Sequence, residues 1–520
     1  MTSSFRTIDW VIIAVYLLCM AGVGIYFSRR QRSLDDYMRA DQKMGWLPVG
    51  LSLMAALNSG MDYLMQPSAT ITYGAVLTLG VLSWLVLYPW VARVAFPFYR
   101  RLNIYSVYEY LEARFDVRVR TLGALIFVAW RLGWMATAMY VPALAINAAS
   151  GGAIDLNTVT IVVGTLVTVY TMLGGIQAVI WNDVIQFCIM FGGLAATALI
   201  VLVSVPGGAL EIWRVSSEAG KLDVWPPLTD PAATSLIPAV TSFFAQPMTA
   251  LSLLVALIVG RMAQYTSDQV MVQRMQTTRS LADTRRAFVV NAAGDALWML
   301  GLAFIGLALF AYFQTHALPA EYSTDKLLPY FMSLAFPAGA VGLVIAAIMA
   351  ASLSSIDSAI NSCSSVFVVD LYNRLWLGRD VRAAGAGADQ RRQVLVSRVA
   401  TVLFGIAGTV LACNVSRLGN LIEINNRLVN AFTGPLFGIY LLAMFSRGSR
   451  ADGVLVAGVA GASVAYYVAY HSAIGFLWPS TFGLAATLLV GYAAAAVWPA
   501  PIDAAGRELT WRAVLDRPMA

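Results

Sequence analysis

The chain has 520 residues, of which 59% are hydrophobic and only 12% are charged, whereas an average soluble protein has about a quarter charged residues. Its apolar residues occur in runs of about 20, the length at which a helix crosses the hydrocarbon core, and this excludes both a soluble globular protein and a barrel of short alternating strands. The formal net charge of +6 comes from basic residues in short segments between apolar runs, which is typical of membrane topology rather than of nucleic-acid binding. The sequence therefore predicts an all-α integral membrane protein.

About thirteen transmembrane helices are predicted from the apolar runs and the Gly, Pro and charged residues between them. They are expected near 8–28, 46–72, 74–98, 121–148, 157–173, 180–205, 238–262, 287–313, 337–371, 396–413, 419–445, 452–470 and 480–498. We interpret the first as a retained helix and not a signal peptide, because its amino end lacks a basic cluster and its other end continues directly into Arg29 and Arg30.

The distribution of positive charge predicts the orientation of the chain. Of the Lys and Arg residues between spans, 24 fall on one side of the predicted membrane and five on the other. Because cytoplasmic loops carry the excess of basic residues, the amino terminus is predicted to lie outside and the carboxyl terminus in the cytoplasm. The predicted location is the cell membrane, that is, the inner or plasma membrane. Arg131, Arg261 and Arg427 fall within spans, where a charge normally faces the bundle interior.

Two spans are predicted to be discontinuous. Asn58, Ser59 and Gly60 interrupt the second span, and Gly260 with Arg261 is expected to interrupt the seventh. The two lie five spans apart, as in a five-plus-five inverted repeat whose broken helices bind ions and substrate at the midplane.

This layout divides the chain into five parts. The expected parts are a leading helix with its cytoplasmic loop (1–45), a first five-helix repeat (46–205), an external loop (206–237), a second five-helix repeat (238–445), and two trailing helices with a short cytoplasmic tail (446–520). We expect the external loop to be packed over the mouth of the protein by Trp213 and Trp225.

Motifs for chemistry driven by ATP or zinc are missing from the sequence. The only Gly-Lys pair is followed by Leu222, so there is no Walker A motif, and no H-E-x-x-H motif occurs. The four cysteines stand singly without metal-binding spacing, which argues against a disulfide framework and a zinc site.

The segment 344–372 is apolar enough to span the membrane but carries seven serines. Ser354, Asp357 and Ser358 lie at positions i, i+3 and i+4, so they share one helical face. Hydroxyl oxygens with carbonyls of a broken helix suit a hard cation such as Na⁺. The alternative is that the serines only bond the preceding turn and allow close helix packing; the buried aspartate favours the ion site.

This segment, with LGGIQAVIWNDVIQ (173–186), QYTSDQVMVQR (264–274) and FTGPLFGIYLLAMFSR (432–447), closely resembles the sodium/solute symporter family. The resemblance covers nearly the whole chain. It implies the inverted-repeat fold preceded by one extra helix, and symport by alternating access with Na⁺ as the coupling ion and no organic cofactor. It also implies that the protein is not an enzyme and that its partners are a small-molecule solute, Na⁺ and the lipid bilayer, with no nucleic acid and no obligate protein partner.

The resemblance also implies two sets of sodium ligands. The main site maps to the carbonyls of Ala55, Asn58 and Ala351 and the hydroxyls of Ser354 and Ser355. A second site, found in sialic acid transporters, maps to Asp183, Ser354, Asp357 and Ser358. The family usually has a serine at the position of Asp357. Either the second site is present and more acidic, or Asp357 binds a proton or forms a structural salt bridge. Asp183 has a helix cap or a gate as its alternative role.

Substrate positions implied by the resemblance are Asp62, Arg261, Gln264, Tyr265 and Arg427, and Arg131 adds a further guanidinium. The stretch GVLSWLVL has no acid before Trp84, which argues against a hexose. Arginine forks bind carboxylates in two-point contacts, so an organic anion, an amino acid or another carboxylated metabolite is expected. Alternatively, each arginine pairs with an internal acid such as Asp62, Asp357 or Glu423.

Two other functions are compatible with these features. A proton-coupled carrier of the same fold would use Asp357 or Asp183 as its proton site. A transporter-like solute sensor would bind solute without moving it.

Overall fold

The computed structural model describes the chain except for residues 1–5, 29–33, 103, 151, 230–234, 317–323, 381–387, 416–420, 499–507 and 518–520. The regular structure of the described residues is helical, and these residues form no β-strand. The helices are α1 (Thr7–Ser28), α2 (Leu34–Arg39), α3 (Trp46–Leu57), α4 (Gly60–Tyr73), α5 (Ser83–Trp90), α6 (Phe96–Leu102), α7 (Val107–Arg114), α8 (Val117–Ala149), α9 (Leu156–Ser204), α10 (Gly208–Glu218), α11 (Leu236–Ala245), α12 (Ala250–Ser267), α13 (Gln269–Gln276), α14 (Leu281–Thr315), α15 (Leu327–Ala335), α16 (Ala340–Val366), α17 (Ala388–Ala412), α18 (Leu421–Phe445), α19 (Ala451–His471), α20 (Pro479–Val497) and α21 (Trp511–Leu515).

Ten helical stretches in this part of the chain are long and apolar enough to cross a membrane. The prediction of an all-α, multi-pass membrane protein is therefore confirmed. Several predicted spans are joined: a 3₁₀ segment and a π segment connect α4, α5 and α6 into one stretch from Gly60 to Leu102. The expected thirteen spans and the inverted repeat remain predictions.

Helix α9 contains two predicted spans, 157–173 and 180–205, without a loop between them. They meet at a bend at Gly175, whose φ of 54° and ψ of −167° are not helical. Glycine adopts a positive φ because it has no Cβ. The bend separates an amino-terminal half from a second half that carries Asp183.

Helix α16 lies at the centre of the protein, and every residue from Val344 to Val366 is buried. The leading helix α1 caps it, because the Asp9 Oδ1 atom accepts hydrogen bonds from the backbone N–H groups of Gly339 (3.0 Å) and Gly342 (2.7 Å). A carboxylate at a helix amino terminus satisfies donors that lack a partner within the helix. Contact between the two backbones is close, since a Cβ on Gly342 would lie 2.5 Å from the Asp9 Cα atom.

One of the two predicted interruptions is confirmed and the other is wrong. Helix α3 ends at Leu57 and α4 begins at Gly60, as the Asn58-Ser59-Gly60 sequence predicts. Gly260 and Arg261, however, lie within the continuous helix α12, and the interruption occurs at Asp268. A single glycine lowers helix stability but removes no backbone hydrogen bond. Asp268 instead starts a new helix, because its Oδ1 atom accepts from the Val270 N–H group at 2.9 Å.

The external segment is held to the bundle by contacts that include Lys221 and not by its tryptophans. Trp213 and Trp225 are 66% and 56% exposed, so the expectation that they pack the segment over the mouth is wrong. The Lys221 carbonyl accepts from the Ala75 N–H group at 2.7 Å, and the Lys221 Nζ atom donates to the Thr72 carbonyl at 3.0 Å. Gly74 permits this approach, because its φ is +77° and a Cβ there would lie 2.6 Å from the Lys221 oxygen.

Candidate functional site

The break between α3 and α4 leaves backbone carbonyls without helical partners. In an uninterrupted helix the Ala55 carbonyl would accept from the Ser59 N–H group. That group instead donates to the Asp62 Oδ2 atom at 2.6 Å, while the Ser59 Oγ atom accepts from the Met61 N–H group at 3.2 Å. Asp62 and Ser59 thus form a capping box for α4 and release the Ala55 carbonyl for another ligand.

Helix α16 places two hydroxyls against these released carbonyls. The Ser354 Oγ atom lies 2.8 Å from the Ala55 carbonyl oxygen and 2.9 Å from that of Ala351, and the Ser355 Oγ atom lies 3.2 Å from the Asn58 carbonyl oxygen. All five residues are buried. The structure therefore brings together the oxygens of the expected main sodium site, and such neutral oxygen donors match the preference of a hard cation.

A second polar cluster surrounds the side chain of Arg274. This arginine is one of the 24 basic residues that the sequence assigns to the cytoplasmic side between predicted spans, and it is fully buried. It donates to the Asp183 Oδ2 atom at 3.0 Å, to the Ser52 Oγ atom at 2.8 Å and to the Ser358 hydroxyl. The other oxygen of Asp183, Oδ1, is buried and has no hydrogen-bond partner in the part of the chain that the structure describes. Asp183 is thus an internal ion-pair partner and does not cap a helix.

The Asp357 carboxylate lies on the other side of this cluster. Its Oδ2 atom accepts from the Tyr170 hydroxyl at 3.1 Å, and its Oδ1 atom lies 3.3 Å from the Ser358 Oγ atom, which also donates to the Ser354 carbonyl. Within the described residues, Asp357 contacts hydroxyls and forms no salt bridge. The second expected ion site is therefore brought together, with Arg274 as an additional member that the sequence did not indicate.

Arg261, on α12, is bound to an acid that the sequence analysis did not single out. Its Nη2 atom lies 2.6 Å from the Asp295 Oδ2 atom, and its Nη1 atom donates to the Ser83 Oγ atom at 2.6 Å. The Trp84 ring lies 4.4 Å from the guanidinium carbon, and its indole N–H group donates to Asp295 at 2.8 Å. These contacts bury Arg261 to 6% exposure.

Arg131, on α8, is paired with Asp268, the residue at the second helix break. The guanidinium also lies 4.5 Å from the centre of the Trp130 ring. The arginines at 131 and 261 therefore pair with internal acids, as the alternative reading expected, but with Asp268 and Asp295 instead of the acids named there. The side chain of Arg427, on α18, lies outside the described residues, as does that of Glu423.

Two of the remaining substrate positions lie within about one turn of Arg261 on α12. Gln264 follows it on the same face, and its Oε1 atom is buried without a hydrogen-bond partner among the described residues. Tyr265 is buried, and its hydroxyl accepts from the Asn291 amide. Asp62 is half-buried at the start of α4. Of the two acids missed, Asp295 had a signal in the sequence, since it lies within the predicted span 287–313 and a carboxylate there needs a partner, whereas Asp268 lies between predicted spans.

Comparison with known proteins identifies the family that has this architecture. The model of the sodium:solute symporter family matches residues 37–461. This chain belongs to the sodium:solute symporter family. The symporter is 30% identical to the sodium/sialic acid symporter NanT of Aliivibrio fischeri over 94% of this chain and 93% of the relative. It is also 30% identical to the sodium/sialic acid symporter SiaT of Proteus mirabilis, over 97% of each chain.

A solved structure supports the same assignment. The substrate-bound, outward-open structure of a Na⁺-coupled sialic acid symporter aligns with a TM-score of 0.83 and 30% identity, covering 96% of this chain and all of that one. The protein is therefore a sodium-coupled membrane symporter and not an enzyme, with Na⁺ as its coupling ion, as the motifs predicted.

Proposed function

We propose that this symporter imports a small carboxylated solute by alternating access, with Na⁺ bound first at the break between α3 and α4. The ligands at this site are the carbonyls of Ala55, Asn58 and Ala351 and the hydroxyls of Ser354 and Ser355. The observation that carries the proposal is the Asp62 capping box, which withdraws the Ser59 N–H group from the Ala55 carbonyl. A carbonyl that has no backbone donor is available to a cation.

We further propose that a second Na⁺ binds between Asp183 and Asp357, with Ser354 and Ser358 as neutral ligands. Two buried carboxylates face one buried guanidinium there, so one negative charge lacks a counter-charge within the cluster. The Asp183 Oδ1 atom also lacks a hydrogen-bond partner. A buried carboxylate oxygen in that state suits a cation, because burial of an unpaired charge is costly.

For the solute, the proposed contacts are Asp62, Arg131, Arg261, Gln264, Tyr265 and Arg427. The unpartnered Gln264 Oε1 atom, one turn from Arg261, supports this location. Because Arg131 and Arg261 are paired with acids, a solute carboxylate must share or replace an internal carboxylate at either one. Sialic acid is the first solute to test, since it is named for two of the relatives that are 30% identical to this chain.

We infer the arrangement in the membrane from the charge count and the family. The five-plus-five repeat comprises 46–205 and 238–445, and the amino terminus lies outside. Cysteine labelling from each side of the membrane tests the orientation.

Thermal stability of the purified protein in NaCl and in KCl tests the function. Ligands that bind only the folded state stabilise it, by about 2.7 kcal/mol at 100 times Kd. We expect Na⁺ to raise the melting temperature, and one carboxylate among sialic acid, monocarboxylates and amino acids to raise it further. Neutral sugars and polyols provide the comparison.

The double variant Ser354→Ala with Ser355→Ala assigns the main site. It should lose the Na⁺ response, whereas Ser463→Ala, on the exposed face of α19, should keep it. A retained Na⁺ response in the double variant would show that these hydroxyls are not ligands.

A further inference from the structure

The carboxylate of Asp295 connects the main sodium site to the arginine beside the substrate region. Asp295 lies on α14, and its side chain is 2% exposed. Its Oδ1 atom accepts from the Asn58 Nδ2 atom at 3.0 Å, while its Oδ2 atom lies 2.6 Å from the Arg261 Nη2 atom and accepts from the Trp84 indole at 2.8 Å. One side chain therefore contacts three segments that are far apart in sequence.

Asn58 is held in place by its side chain in addition to the last backbone hydrogen bond of α3, which runs from the Asn58 N–H group to the Met54 carbonyl at 3.2 Å. It lies in the break, with a φ of −100° and a ψ of 138°. Its amide group donates to Asp295 and also to the Met54 carbonyl at 3.2 Å, so both N–H bonds are used. The carbonyl oxygen of Asn58 lies 3.2 Å from the Ser355 Oγ atom and is a proposed sodium ligand. The two hydrogen bonds of the Asn58 side chain therefore help to orient this carbonyl.

The charge on Asp295 makes this support dependent on Arg261. A carboxylate that accepts from a guanidinium is a weaker acceptor for other donors than one without a counter-charge, because the guanidinium neutralises part of its charge. Movement of Arg261 away from Asp295 therefore strengthens the hydrogen bond to Asn58, and the converse also holds.

We propose that Asp295 is a positioning residue through which Arg261 sets the affinity of the main site for Na⁺. The inference rests on the proposed function only in that the main site binds Na⁺. It adds a route for coupling, because a solute carboxylate that engages Arg261 releases Asp295 to hold Asn58. By linkage, Na⁺ and solute then raise the affinity for each other by the same factor.

The test uses Na⁺ alone as ligand and measures thermal stability against Na⁺ concentration, at constant ionic strength with KCl. Asn58→Ala should raise the apparent Kd for Na⁺ about tenfold, the effect of one hydrogen bond to a charged group. Asp295→Asn keeps one neutral acceptor oxygen and should raise the Kd by a smaller factor. The double variant should bind no more weakly than Asn58→Ala, because both changes act on the same hydrogen bond. Asp452→Asn, at an exposed ion pair with Arg118, is the matched control and should leave the Kd unchanged.

Arg261→Gln tests the connection to the substrate region. It should lower the Na⁺ Kd several-fold in the parent protein and leave it unchanged when Asp295 is already Asn. An equal change in both backgrounds, or parental Na⁺ affinity in Asp295→Asn, would overturn the inference. If Asp295→Asn does not fold, the Arg261 comparison is made with Asn58→Ala, which leaves the Asp295 to Arg261 ion pair intact.

Failure of the main site itself has a separate signature. A parent protein that Na⁺ does not stabilise would overturn the proposed sodium site, and this inference with it. A parent protein that responds to Na⁺ while the double variant shows additive losses would overturn only the role of Asp295.

Discussion

Substitution of Asp62 tests whether a capping box prepares the sodium site. In Asp62→Ala the Ser59 N–H group loses its acceptor at 2.6 Å and can return to the Ala55 carbonyl, extending α3 across the break. A hydrogen bond to a charged group contributes about 1.5–3 kcal/mol, so we expect Na⁺ affinity to fall by a factor of about 10–150. Asp62→Asn keeps one neutral acceptor oxygen and should cause a smaller loss.

The measurement is the Na⁺ dependence of the melting temperature, without solute. Asp155→Ala is the matched control, because Asp155 caps α9 through the Thr158 N–H group at 2.9 Å and lies far along the chain from the site. Its loss should lower stability by about 0.5–2 kcal/mol without changing the response to Na⁺. If Asp62→Ala bound Na⁺ like the parent but no longer responded to solute, the capping argument would be refuted and Asp62 would be a solute ligand only.

Three further outcomes are expected. Arg274→Gln should lower the free energy of unfolding by about 3–5 kcal/mol in denaturant titrations, because it leaves Asp183 buried without its cation. Adding Asp183→Asn to this variant should recover much of the loss. A loss in Arg274→Gln that is within experimental error would contradict a buried ion pair. In thermal melts, Gly342→Ala should destabilise the protein, because its Cβ would lie 2.5 Å from the α1 backbone. Gly260→Ala has open space around the new Cβ and should stabilise the protein by about 0.5–1 kcal/mol. Destabilisation by Gly260→Ala would indicate that the helix is broken at that glycine. Burial raises the pKa of Glu112, but hydrogen bonds from two arginines outweigh burial and lower the pKa below its usual value. The contribution of Glu112 to stability is therefore present above the usual pKa and is lost as the pH falls through the lowered pKa. In a plot of melting temperature against pH, Glu112→Gln should show a shallower fall on the acid side, and curves parallel to the parent would argue against the effect.

Local patterns were sufficient for the class of protein and for one helix break. Apolar runs about 20 residues long predict membrane helices because the cost of placing polar groups in lipid applies to each segment separately. The first break is also local, since Asn58, Ser59 and Asp62 lie within a single turn and the capping box needs no distant residue. The oxygens expected at the main site come from two motifs that the family shares, and the fold brings them together.

Predictions about single charges were less successful. Gly260 and Arg261 suggested a break by composition, but the backbone there keeps its helical hydrogen bonds, and the break forms where Asp268 caps a new helix opposite Arg131. Arg274 is counted with the cytoplasmic loop cations because it lies between two predicted spans, yet it is fully buried beside Asp183.

The sequence by itself determined the fold class, the family and the use of Na⁺, because hydropathy and short motifs are properties of contiguous residues. Only the tertiary structure decided which acid compensates each buried arginine. Arg131 and Asp268 are 137 positions apart, and Arg274 and Asp183 are 91 apart. The choice among acids depends on which helix faces meet within a few ångströms, because a buried charge is costly unless a partner lies within hydrogen-bond distance.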